Sequence, residues 1–156
     1  MKNIKIILIP IALICIIAII WFGINFAPGS YSQTKKYRFN IPEKELIMCI
    51  EKLKSIDTSL KVPEDYGMVE GRKSKDDYWY HFYLFYSDSQ EVLNCWVRAN
   101  SIKSTDLAFV SIRDKFGKWK SIDRDFDRLK AQEQQKKFEN RILDKLKRIT
   151  NKIENN

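Results

Sequence analysis

The sequence has one histidine, five glycines and three cysteines in 156 residues, and each scarcity narrows the chemistry open to it. Nucleophilic triads and most zinc sites need histidine with partners at set spacings, but His81 stands alone and no HExxH, CxxC or GxSxG occurs. Nor is there a GxxxxGK[ST] or GxGxxG loop to cradle a phosphate. Only Cys49 and Cys95 lie outside the apolar N-terminal stretch, too few for a disulfide framework. They are expected as buried free thiols, with a single bridge as the alternative in an exported domain. No cofactor, metal or catalytic residue is expected.

Charge is also missing where it matters. No charged residue stands between Lys5 and Lys35, and no acid precedes Glu43. The stretch Ile6 to Phe26 is almost wholly Ile, Leu, Ala, Trp and Phe. About 20 such residues in a helix cross a ~30 Å hydrocarbon core, so residues 6–27 are expected to form a transmembrane anchor behind a cytoplasmic N-terminus at 1–5. A cleavable signal has a shorter apolar centre and a small-x-small site, whereas here a cut after Ala27 would have Asn25 three places back and Pro28 next. Cys15, preceded by Leu13 and Ile14, lacks a lipoprotein context and reads as an apolar packing residue. Pro10 lies near the start of the span, where a missing amide costs least. Lys2 and Lys5 lie closer to the span than Lys35, Lys36 and Arg38, which favours an N-terminus inside and a domain outside. The Ile, Lys and Asn content fits an AT-rich bacterial genome.

Residues 28–36, PGSYSQTKK, have linker composition. The remainder, 37–156, has the length of one small domain. From Ser30 onward the chain carries 26 of the 28 basic residues and all 20 acidic ones, hence a net charge of +6. That interspersed excess fits a solvated surface, and no nucleic-acid partner is expected. Tyr37, Phe39 and Ile41 alternate as in a half-buried strand. Helix signals follow over 42–56: Pro42 at the start, Glu43 and Glu45 early, Lys52 and Lys54 late, and Leu46, Cys49, Ile50, Leu53 and Ile56 on one face. Residues 57–77 read as irregular, with a short strand near Met68 and Val69. Strands are expected at 78–86, 91–100 and 105–113, separated by the turn sequences SDSQ and NSIKS.

From 122 to 153 a charged amphipathic helix is expected. Phe126, Leu129 and Phe138 are placed to close over one sheet face, and the spacing from Ile142 to Ile153 also fits a short coiled coil, hence a homodimer through this helix. The fold class is therefore α+β: an N-terminal transmembrane helix, then a small, mostly antiparallel sheet of three to four strands packed with one helix, and a long C-terminal helix.

Two carboxylate clusters bear on possible chemistry. Asp123, Asp125 and Asp127 resemble the opening of a calcium loop, but Arg128 replaces its glycine and Gln134 its closing glutamate; a helix start explains these acids. Asp76, Asp77, Asp88 and Glu91 could in principle supply an acid and a base for glycan hydrolysis. The stronger signal is DYWYHFYLFYSD, residues 77–88, with seven aromatics on both sides of one strand. Tyr78, Tyr80, Phe82, Leu84 and Tyr86 share one side, and Trp79, His81, Tyr83 and Phe85 the other, with Trp96 and Arg98 beside the second group on the neighbouring strand. Left uncovered, Trp79, His81, Tyr83, Phe85, Trp96 and Arg98 would form an interface of Trp, Tyr and Arg character. The function expected is a single-pass membrane protein with an extracytoplasmic protein-binding domain, of immunity or envelope-accessory type. The alternatives are an envelope glycan or small-ligand domain, binding or hydrolytic, and a structural protein dimerising through its C-terminal helix.

Overall fold

A computed structural model describes residues 34–154 and a helical stretch at 14–17. Among the described residues no helix is long and apolar enough to cross a membrane. The expected N-terminus at 1–5, most of the anchor at 6–27 and most of the linker at 28–36 lie outside the described residues, as does the side chain of Ile153. The chain divides into two compact units, Met1–Ser32 and Gln33–Asn156, and every strand among the described residues belongs to the second.

That unit is α+β. Strand β1 (Lys36–Phe39) leads through Pro42 into helix α1 (Glu43–Ile56), and the connection carries single 3-10 turns at Thr58–Leu60 and Glu64–Tyr66. Strands β2 (Tyr80–Tyr86), β3 (Glu91–Ser101) and β4 (Ser104–Asp114) form an antiparallel meander. The short β5 (Lys120–Ser121) precedes helix α2 (Arg128–Phe138), a π-helical turn (Glu139–Leu143) and helix α3 (Asp144–Glu154). The sheet order is β1-β4-β3-β2, and β5 takes the stretch of the β4 edge beyond β1. The alternation in 78–113 thus becomes strand almost as expected, because SDSQ and the 101–104 turn supply the breaks. No strand forms at Met68 and Val69; Gly71, at φ 126°, instead makes an isolated bridge to His81. That φ favours a residue without a Cβ.

The main core lies on one side of the sheet. Phe82, Leu84 and Tyr86 of β2, Leu93, Cys95 and Val97 of β3, and Leu107, Phe109 and Ile112 of β4 meet Leu46, Cys49, Ile50 and Leu53 of α1. The same cluster contains Phe138, Ile142, Leu143 and Leu146, so the C-terminal segment lies beside α1 rather than on the opposite face. This corrects the expectation that Phe126, Leu129 and Phe138 close over the second face: Phe138 is fully buried in the main core, Phe126 packs on that core from its margin, and Leu129 is 78% exposed. Asp127 accepts a hydrogen bond from the Lys130 amide and starts α2 only at Arg128. The π turn adds a residue to the helical register, so Phe138, Ile142, Leu143 and Leu146 all reach one core. Ile142 and Leu146, offered by their spacing for dimerisation, are occupied within the chain itself. Polar contacts hold the segment in place. Glu139 accepts from Lys35 (2.6 Å) and from the Tyr37 hydroxyl (2.8 Å), Arg141 forks onto Asp88 (2.8 and 3.0 Å), and Lys145 reaches Asp57 at 2.6 Å.

Both cysteines of this unit are free and buried, and burial pushes both thiols upward in pKa.

Candidate functional site on the second sheet face

The second face gathers all six residues expected there, since period-two alternation puts Trp79, His81, Tyr83 and Phe85 on the side of Trp96 and Arg98. The register sets His81 opposite Trp96 and Trp96 opposite Ala108. Exposure then divides the group. His81, Phe85 and Trp96 are buried, Trp79 and Tyr83 are half-buried, and Arg98 is exposed.

Much of the cover comes from the irregular connection before β2, whose sequence has no periodicity to announce that role. Tyr66 meets Phe85 edge to face at 5.4 Å, and Val62 and Met68 join Tyr66, Phe85 and Val92 in a second small cluster. Arg113 donates to the Tyr66 carbonyl and lies 4.8 Å from the Trp119 ring, which itself packs on Tyr83 at 6.0 Å. At the other end Trp79 packs on Trp96 at 6.5 Å. The face is therefore a secondary core for most of its length, and only its rim at Trp79, Tyr83 and Arg98 reaches solvent.

The outer edge of β2 is also closed to strand pairing. The His81 amide donates to the Gly71 carbonyl, and the Tyr83 amide donates to Oε1 of Glu70 at 2.8 Å. Glu70 is held in turn by Lys54 at 2.6 Å. An occupied edge of this kind disfavours addition of a foreign strand.

At the rim lies a cleft of about 790 Å³, lined by residues that include Glu43, Arg72, Lys75, Asp76, Tyr78 and Arg98. Arg72 bridges its walls, pairing with Glu43 at 2.5 Å and donating to the Asp77 carbonyl at 2.9 Å. Tyr78 is 72% exposed beside it. Asp77, also in the lining, accepts from the Lys73 and Trp79 amides, and these bonds, led by that of Trp79, hold its carboxyl below the usual range. It is an ionised turn cap. Asp88 lies at the far end of β2, where Arg141 keeps it ionised. Asp77 and Asp88, two of the four acids considered for hydrolysis, are thus separated by the length of a strand, and each has a structural partner. Among the described residues no cluster of three or more His, Cys, Asp and Glu could hold a metal ion.

Burial, assisted by the Lys73 charge and opposed by a hydrogen bond to Asn94 and by Asp77, lowers the His81 pKa below its ordinary 6.5. The native state resists protonation that the unfolded chain accepts, so stability should be full above pH ~6.5 and fall on acidification below it. His81 is the only histidine, so it dominates the window between pH 7 and 5.5. Thermal melts should show a falling midpoint across that window for the chain, and a flatter profile for His81→Gln. Equal slopes would mean that His81 is solvated or paired in its charged form.

Comparison of the chain with family models, curated proteins and solved structures finds no match.

Proposed function

We propose that the chain is a single-pass membrane-anchored protein whose α+β domain binds another protein on the outer side of a bacterial cytoplasmic membrane. The anchor rests on the uncharged apolar stretch from Ile6 to Phe26. The binding reading rests chiefly on one observation: exposed Tyr78 and Arg98 line a cleft carrying both signs of charge, with half-buried Trp79 packed against the Tyr78 ring. Tyr, Trp and Arg supply most of the energy at protein interfaces, and fixed charges of both signs select a partner by complementarity. The contact is thereby narrower than the six-residue aromatic face, because His81, Phe85 and Trp96 are buried.

The glycan reading keeps one supporting observation, the exposed Tyr78 ring beside Asp76 in the same cleft. One experiment separates the two. A photo-crosslinking amino acid at position 78, in cells that express the full chain, should yield a discrete adduct that protease destroys and that Arg98→Glu abolishes. An adduct removed by muramidase would support glycan binding instead, and no adduct at all would overturn the rim as a contact site. Alkaline phosphatase fused after Asn156 should be active, which an inside orientation would prevent.

A further inference from the structure

The loop that leads from β4 into the first residue of β5, Lys115-Phe116-Gly117-Lys118-Trp119-Lys120, has a composition that the fold does not explain. Phe116 is 93% exposed at its tip, although nothing in the fold needs an aromatic there. Lysines flank it at 115, 118 and 120 with no acid inside the loop. The acids nearby are otherwise engaged. Asp114 accepts from the Phe116 amide and Asp65 pairs with Lys115. Asp123 accepts from the Ser121 hydroxyl, Asp125 from the Ser121 amide, and Asp127 caps α2. Lys118 and Lys120 are exposed and have no ion pair among the described residues. The loop is also braced from behind, because Trp119 packs on Tyr83 and lies over Arg113.

Topology says where this loop faces. Strand β1 runs antiparallel to β4, with Lys36 opposite Ala108 and Phe39 opposite Thr105. The C-terminal end of β4 and the loop after it therefore point back along the direction from which the chain enters the domain. From Ala108 to Asp114 is six residues, roughly 20 Å of strand. From Phe26 to Thr34 is eight residues, at most about 29 Å of extended chain.

We infer that the loop 115–120 is a membrane-surface contact, with Phe116 entering the headgroup region of an anionic bilayer and Lys118 and Lys120 against its phosphates. The inference rests on the anchored reading. On interfacial segments rich in basic residues, phenylalanine enters the boundary between headgroups and acyl chains, and lysines close to an anionic leaflet are attracted within about a Debye length. The contact would orient the domain and carry the Tyr78 cleft, at the opposite end of the sheet, away from the bilayer. In the sequence itself the signal is the pattern KFGKWK, whose meaning depends on knowing that its phenylalanine is left outside the core.

The full chain, reconstituted in vesicles whose acyl chains are brominated, tests both readings at once. Trp21 reports on the span through the difference between the unaltered chain and Trp21→Phe. The loop tip is read from the fluorescence that Phe116→Trp adds to the unaltered chain. In vesicles containing phosphatidylglycerol, both contributions should be quenched at least two-fold relative to unbrominated lipid. The second should recover in the Lys118→Glu, Lys120→Glu background and in high salt. Quenched Trp21 with an unquenched loop signal overturns the surface contact alone. Unquenched Trp21 overturns the anchor and this inference with it. Loop quenching that is equal in pure phosphatidylcholine overturns the role of the lysines.

Discussion

Phe138→Ala is expected to destabilise the domain by about 3–5 kcal/mol, the usual cost of removing a large aromatic from a closed core. The ring is fully buried, stacks on Phe109 at a centroid distance of 5.1 Å and meets Tyr37 at 5.8 Å. It joins the C-terminal segment to two strands of the sheet, so the cavity left by truncation would be walled by rigid β-structure that cannot collapse around it. The better helix propensity of alanine returns only a few tenths of a kcal/mol. Leu129→Ala, on the preceding turns of the same segment but 78% exposed, should change stability by less than ~0.5 kcal/mol. Urea unfolding of the chain in mild detergent, followed by tryptophan fluorescence, would measure both. Equal small effects would mean that the segment does not lie on the sheet in solution.

Lys54→Ala should cost about 3 kcal/mol, for a different reason. Lys54 is buried on α1 and reaches both oxygens of Glu70 at 2.6 Å, while Glu70 also accepts the Tyr83 amide on the β2 edge. Removing the cation leaves the half-buried Glu70 carboxylate without its counter-charge, and breaking one partner of such a pair costs more than replacing both. The double change Lys54→Met with Glu70→Gln should therefore recover more than half of the loss, since methionine fills the stem's space and the glutamine carbonyl still accepts from Tyr83. A double variant no more stable than Lys54→Ala would show that the charge itself, rather than the satisfied amide, holds this edge.

These two sites also show where the sequence was legible. The strands from Tyr80 to Asp114 and helix α1 follow from short-range chemistry: two-residue alternation, turn residues at the breaks, Pro42 and early acids at the helix start. Phe138, Ile142 and Leu146 were recognisable as buried from their spacing. The same spacing serves equally well for packing on either sheet face or on a second copy, so it could not choose among them. Likewise, the six aromatic-face residues could be placed together by alternation, while their exposure depended on Tyr66, Met68 and Trp119, which come from segments with no periodicity of their own.

The sequence by itself thus determined the α+β class, the order of the main elements, the faces of the strands, the buried face of α1 except at its end, where Ile56 is 67% exposed and Lys54 is buried instead, and the charge-free N-terminal stretch. All of these depend on residues close together in the chain. Tertiary structure alone decided that the C-terminal segment lies beside α1, that the 57–79 connection crosses the aromatic face, and that Tyr78, Arg72 and Arg98 meet at one cleft. Those outcomes are set by competition between distant apolar groups for the same buried surface, and hydrophobic attraction has no direction that a local pattern could encode.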